Sequence, residues 1–475
     1  MRAGSKQLIR EINQTIVLNA IRTHGALSRT DIAGISKLSL AAISGITAEL
    51  IELGFVYEHE VGVSTGGRPP VLLALNNQAG YVAGVKLTED AVIVALTDLE
   101  ATIVASHTVP LVGRTPEAVA ETLAAAVDVL RPAAGNRPVL GAGIGIAGVI
   151  DRQRELVHYA TYFGWRDVPM AQLLEQRLHF PVVVDNDVNA LTAAEQWFGA
   201  GRGVDDFLVV SIGRGVGLGM VLNGQLYRGT AGGAGEFGHI TVVPDGPRCE
   251  CGKRGCLEAL VGDPAVIQRV TAMLGHPVDM QAVIDLALHG DAIVQSIFAA
   301  AGRTLGMAVA NLVNVLNPAL VIVGGEGTRA GALILEPLQE ALREHCFNGL
   351  YSDMRVVSEP WGDEAWARGA ASLLLGELFQ PALRRGEEDR PLLAVRSGME
   401  KIWPRLLFVS EQTMHRGGSA YGWLTRFCTY WLAGFLFIAR AAGPARLHSF
   451  AADRFAGTDL VPVGSADTAA ICWLR

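Results

Sequence analysis

Cysteine is scarce in this 475-residue chain, with six in all. Cys346, Cys428 and Cys472 are scattered, so the spacing writes no disulfide framework. The N-terminus also lacks a continuous apolar stretch of the kind an export signal needs. Together these absences predict a protein of the reducing cytoplasm. A basic surplus is missing too. The net charge of -8 excludes nucleic-acid binding over the whole surface, although an average of this kind can hide a patch. Up to residue 48 the balance is reversed, with Arg2, Lys6, Arg10, Arg22, Arg29 and Lys37 against Glu11 and Asp31. Half of the residues are apolar, enough to build two or three domains with large cores and no covalent staples.

The other three cysteines are concentrated in one stretch, Gly235 to Glu258, reading GEFGHITVVPDGPRCECGKRGCLE. His239, Cys249, Cys251 and Cys256 make a full tetrahedral His/Cys3 set for zinc, with no ligand position left open, which describes a structural site. Gly246, Gly252 and Gly255 give the backbone freedom to wrap an ion. The rival reading is a chance cluster or a disulfide within the loop.

Ile12, Ile16, Val17, Ala20 and Ile21 recur at helical spacing, and His24-Gly25 ends that helix. Ser28 precedes a short second helix. After Lys37-Leu38-Ser39 a third begins, with Ile43, Ile46, Leu50 and Leu53 as its apolar stripe and Ala41, Ser44, Gly45 and Ala48 facing out. Gly54 stops it, and Phe55 to Leu75 reads as two strands around a Gly/Pro-braced tip holding Arg68. Residues 1–75 thus predict a winged helix-turn-helix. A small, uncharged helix face at Ala41 and Ser44 can enter the major groove closely, and Arg68 on the wing suits backbone phosphate or the minor groove. Ser28, Arg29, Thr30 and Ser39 stand at helix starts, where hydroxyls and free N–H groups suit phosphate oxygens. The alternatives are that the serines only cap helices, or that the module binds a protein instead.

From Tyr81 the period shortens to two, and strands, a helix at Pro116 to Leu130 and the glycine-rich strand VLGAGIGIAGVID indicate an α/β domain. A short strand at 181–184 delivers Asp185-Asn186-Asp187-Val188-Asn189 to its carboxyl end, where ligands of α/β folds bind. Phe207 to Leu222 opens a second lobe in the same manner, which suggests an internal duplication. AGRTLGMAVANLVNVLNP then predicts a long buried helix, and ALVIVGGEG one more core strand.

GEFGH followed by CxCGxxGCLE, together with the Asn-Asp at the strand end, resembles the ROK family of sugar kinases and sugar-responsive repressors over about residues 10 to 378. The resemblance implies an α/β body of two actin-like (hexokinase-type) lobes, 76–190 and 191–378, the second carrying the zinc loop. It also implies that His239 and the three cysteines hold zinc, and that Asn186, Asp187, Glu236, His239 and Glu258 receive sugar hydroxyls. The turn Gly145 to Gly148 lets backbone approach the same sugar, with Gly148 at its end. Carboxylates and amides around a ring suit a pyranose, because losing one hydroxyl strands a buried partner at about 1–3 kcal/mol.

What the family's kinases have and this chain lacks is the Asp-x-Gly-Gly-Thr turn for magnesium and phosphates: the corresponding stretch is Gly84-Val85-Lys86-Leu87-Thr88-Glu89. In the second phosphate loop Arg214 fills the place of a small residue, either taking the room phosphates need or meeting an anion. Phosphoryl transfer rests on positioning and charge neutralisation, so this loss should remove most of the rate. Asp187, the general-base position of those kinases, becomes a hydroxyl acceptor. The expectation is therefore a non-enzymatic, sugar-responsive repressor with a structural zinc, binding operator DNA as a homodimer or homotetramer and not associated with a membrane. An active sugar kinase using ATP, and a pure interaction protein, are the rivals. Residues 379–475 continue past the family body. Their run Tyr421 to Ile438 nearly reaches bilayer length, but it is interrupted by Gly422, Arg426 and Gly434.

Overall fold

The computed structural model describes residues 6–61 and 69–379. Arg68 and residues 380–475, including the run 421–438, lie outside the described residues. The N-terminal helices form where the apolar spacing puts them: α1 (Lys6–His24), α2 (Arg29–Ser36) and α3 (Leu40–Glu52). Ile43 and Leu50 are fully buried on the inner face of α3 while Ala41, Ser44, Gly45 and Ala48 face solvent. Lys37, with φ 60°, makes the turn between α2 and α3, whose axes bend through 114°, the range of a helix-turn-helix. Strands β1 (Leu27–Ser28), β2 (Val56–Val61) and β3 (Val71–Leu75) form an antiparallel sheet in the order β1-β3-β2, which is the wing.

The first lobe holds β4 (Tyr81–Leu87), β5 (Ala91–Thr97), β6 (Ile103–Pro110), α4 (Pro116–Leu130) and β7 (Val139–Ile146). A small sheet of β8 (Val149–Asp151), β9 (Leu156–Ala160) and β10 (Trp165–Val168) follows, then α5 (Met170–Leu178) and β11 (Val182–Asn186). Helix α6 (Asp187–Phe198) leads to the second lobe: β12 (Phe207–Ile212), β13 (Val216–Leu222), β14 (Gln225–Leu226), α7 (Glu258–Val261), α8 (Asp263–Leu274) and α9 (Met280–Leu288). It continues with α10 (Ala292–Leu316), β15 (Leu320–Gly324), α11 (Ala332–His345) and β16 (Arg355–Glu359). The two main sheets run β11-β7-β4-β5-β6 and β14-β13-β12-β15-β16. Each is an antiparallel meander of three strands whose first strand is joined in parallel by the two later ones. The duplication expected from the repeated strand and glycine-turn pattern is therefore present at the level of topology.

The last described helix, α12 (Asp363–Phe379), returns to the first sheet and lies across β4 and β7. Gly84 and Gly143 make that possible. A Cβ on either would collide with the backbone carbonyl of Ala367 or Ala370, so helix and strands meet backbone to backbone. Helix α10 is long and apolar enough to cross a membrane by length and composition. Here Phe298, Leu305, Val309 and Val313 on it are buried in the core of the second lobe. A third core is shared between the winged domain and the body: Leu18, Ile21, Ile43 and Leu73 join Leu140, Val183, Leu374 and Phe379.

Candidate sugar and metal site

Strand β11 brings Asp185, Asn186 and Asp187 to the cleft between the lobes, each with a different task. Asp185 is fully buried and is met by two cations, Arg228 Nε at 2.7 Å and Arg152 Nη1 at 3.7 Å, and by the Asn189 amide at 3.1 Å. Asn186 caps α6, accepting from the N–H groups of Val188 and Asn189, and its own amide donates to the Gly148 carbonyl at 3.1 Å. Its oxygen is thus taken by the helix, leaving only an amide hydrogen for a ligand. Gly148 has φ 144°, and a Cβ there would strike the Tyr159 carbonyl, so chain packing alone requires glycine at this turn. Asp187 faces the cleft. Desolvation pushes its carboxyl above the usual carboxylate range and the Lys86 ammonium pulls it back.

The second lobe supplies the opposite wall. Glu236 sits just before His239 in a short helical turn, and Glu258 opens α7. Partial burial raises the Glu236 carboxyl; His239 counters this, and the charges of Asp187 and Glu258 add to it. Glu258 uses one oxygen to accept from the Val216 N–H at 3.1 Å, tying α7 to the β12–β13 turn. Asp187, His239 and Glu258 are thereby brought within charge range of Glu236. Three carboxylates offer acceptors, and the imidazole a ring nitrogen, to a polyhydroxylated ring.

His239 also belongs to a second set. Its Nδ1 is 3.6 Å from Cys249 Sγ, and Cys251 Sγ is 3.7 Å from Cys256 Sγ. All four ligand atoms of His239, Cys249, Cys251 and Cys256 lie within 4.8 Å of one another. Tetrahedral ligands bound at about 2.3 Å stand about 3.8 Å apart, so the set could hold a metal ion. The pair separation is far beyond an S–S bond, and these cysteines are free thiols, which removes the disulfide alternative. Nδ1 of His239 faces the thiols while Nε2 faces Glu236 at 3.9 Å. One ring therefore serves both sites.

At the stretches around Lys86 and Arg214, side chains of the two lobes meet. Lys86 on β4, only 11% exposed in its side chain, reaches Glu326 Oε1 at 3.3 Å and packs over Trp366 at 4.4 Å. Arg214 Nη1 lies 2.6 Å from Glu89 Oε2, and its Nε donates to the Tyr162 hydroxyl at 3.2 Å. Arg214 thus pairs with a carboxylate of this chain. Glu326 and Tyr162 were not marked by sequence reasoning. Each comes from a remote loop, and no local pattern links them to Lys86 or Arg214.

In the winged domain, Ser28 is 4% exposed; its hydroxyl accepts from the Asp31 N–H at 3.1 Å and its backbone N–H donates to the Asp31 carboxylate at 3.2 Å, a complete capping box. Its side chain is committed to the fold. Arg29 links Thr47 of α3 to Glu58 of the wing, both at 3.2 Å. Thr30, Ser39, Ala41 and Ser44 are exposed along one side, with Ser39 also capping α3.

The sequence matches the ROK family over residues 82–377. It is 30% identical over 392 residues to the xylose repressor of Caldicellulosiruptor bescii, covering 79% of this chain and 98% of that one. It is 29% identical over 382 residues to the DNA-binding transcriptional dual regulator NagC of Escherichia coli, covering 78% and 94%. Among solved structures, a ROK family transcriptional regulator, a homolog of the E. coli MLC protein, aligns with a TM-score of 0.69 at 27% identity over 77% of this chain and 96% of that one. A ROK family glucokinase from Streptomyces griseus, in complex with glucose and AMPPNP, aligns with a TM-score of 0.55 at 32% identity, covering 62% and 99%.

Proposed function

Because this chain belongs to the ROK family, we propose that it is a sugar-responsive transcriptional repressor whose body binds a sugar or sugar derivative without phosphorylating it. One observation carries the reading: the carboxylate wall of Asp187, Glu236 and Glu258 is intact while Lys86 and Arg214, each paired with a carboxylate of this chain, fill the phosphate side. Transfer of a phosphoryl group needs a cradle for its charge, and here the room and the cations are both taken. Similarity to repressors that extends over the winged domain, beyond the part shared with kinases, supports operator DNA as the partner. The exposed small residues of α3 are the surface offered to the major groove. Thr30 and Ser39 are offered to backbone phosphate, as is Arg68 of the wing.

His239, Cys249, Cys251 and Cys256 are assigned to zinc, since a thiolate-rich tetrahedral set with no open position selects that ion in a structural role. Bound zinc would brace the loop that aims His239 Nε2 at the sugar. The protein acts in the cytoplasm, where its thiols stay reduced, and as a homodimer or homotetramer on palindromic half-sites. Ligand and operator are linked through differential affinity for two arrangements of the lobes. The shared core of winged domain and body is a route for that linkage.

The test is a thermal-shift screen of pentoses, hexoses and their derivatives, followed by operator binding with the ligand found. One sugar should raise the melting temperature and change operator affinity, with no sugar-dependent ADP release in a coupled assay. Turnover of ATP with that sugar would establish the kinase reading instead.

A further inference from the structure

Both walls of the sugar site depend on how far apart the lobes stand. Asn186 and Asp187 hang from the first sheet, whereas Glu236, His239 and Glu258 belong to the second lobe. Besides Arg228 with Asp185, two further ion pairs join the lobes near this place. Lys86, on the first sheet, meets Glu326, which follows β15 of the second. Glu89, in the turn after β4, meets Arg214, in the turn after β12. Asp363 adds a second carboxylate oxygen at 3.8 Å from Lys86, and Tyr162 of the first lobe lies under the Arg214 guanidinium at 4.8 Å.

We propose that Lys86–Glu326 and Arg214–Glu89 form a built-in latch that holds the lobes at the separation the sugar needs, replacing a nucleotide with side chains. The residues are positioning residues for the ligand, and this part of the inference rests on the sugar-binding reading above. Each pair crosses the cleft, each uses a cation where the kinase turn has an acid or a small residue, and each leaves no cation unpaired for an incoming phosphate. Partly exposed pairs of this sort are individually weak and screened by salt. Two together still bias an equilibrium between lobe arrangements, and a ligand that needs the closed form gains affinity in proportion to the closed fraction.

Charge reversal tests it. Arg214→Glu and Glu89→Arg are made singly and together, with Glu326→Gln as a milder variant. Hydrogen exchange of peptides covering residues 84–92 and 211–218 is followed in the protein without sugar. Sugar affinity is measured by calorimetry at low and high NaCl. The single variants and E326Q should exchange about tenfold faster in both peptides and bind sugar about three- to tenfold more weakly. The Glu89/Arg214 swap should restore both, and high NaCl should move the unmodified protein toward the singles. Exchange rates in the single variants equal to those of the unmodified protein would overturn the latch. Should the unmodified protein bind no sugar, the sensing reading fails by itself, and the exchange data still decide whether the lobes are latched.

Discussion

The guanidinium of Arg22 lies 4.6 Å from the ring centre of Trp197, with Phe379 on another side at 5.0 Å. Burial, aided by Arg202 and opposed by Glu100, lowers its pKa to about 10, so it remains a cation at physiological pH. Trp197 is one residue from the end of α6, and Asp187 is its first. One helix of about 18 Å therefore runs from the proposed sugar wall to the winged domain. Two atoms at this junction, Asn19 Oδ1 and Arg22 Nε, are buried without partners, which marks it as a contact that is not fully satisfied.

Arg22→Ala should leave sugar affinity unchanged while the sugar-dependent change in operator affinity falls at least severalfold. Anisotropy of a labelled operator duplex with and without sugar reads the second quantity, and calorimetry the first. An unaltered response would show that the coupling takes another route.

Asp187→Asn should separate stability from binding. The raised carboxyl contributes stability that is present below its unfolded value of 3.8 and is lost as pH rises through the higher folded value. At neutral pH the buried charge is thus a burden, and the amide should melt about 1–3 °C higher at pH 7.5, with the difference vanishing in acid. The sugar-induced thermal shift should disappear. In the unmodified protein, sugar affinity should weaken on acidification at pH values above those of ordinary carboxylates, as Asp187 and Glu236 take up protons.

Metal analysis of purified protein should give one zinc per chain. Chelation, or Cys251→Ser, should lower the melting temperature by several degrees and abolish the sugar shift, because His239 is aimed by the same loop. Restoring zinc to the chelated protein should recover both.

Ala41→Glu places a charge on the exposed face of α3. Operator affinity should fall by about two orders of magnitude or more with the melting curve unmoved. Ser28→Ala should do the reverse, costing about 1 kcal/mol of stability through the lost cap while sparing DNA affinity.

Gly143→Ala should be strongly destabilising, about 2–4 kcal/mol by chemical denaturation, since its methyl would meet the Ala370 carbonyl on α12.

The helix-turn-helix and the strand pattern were legible because apolar periodicity reports burial directly: Ile43, Ile46 and Leu50 are all buried as their spacing demands. The metal quartet was legible because its ligands fall within one loop. Serine at a helix start has two meanings, and for Ser28 the cap and its burial took precedence over an open face. The stretch holding Gly143 reads only as a glycine-rich buried strand, yet Gly143 is there to admit a helix some two hundred residues further along the chain. The pairing of Lys86 with Glu326, 240 positions apart, leaves no trace in local pattern, since charges on a strand and a distant loop become partners only through the fold.

Helix α12 closes both the first sheet and, through Phe379, the seat of the winged domain. A ribosome making this protein must therefore release the DNA reader and most of the sensor before the element that unites them has been synthesised. Until residue 379 emerges, β4 and β7 keep one face open to water, so the nascent chain should need sheltering for nearly four-fifths of its length. The joint between winged domain and body is therefore completed only late in synthesis, and a product ending ahead of Asp363 should lack the α12 side of it.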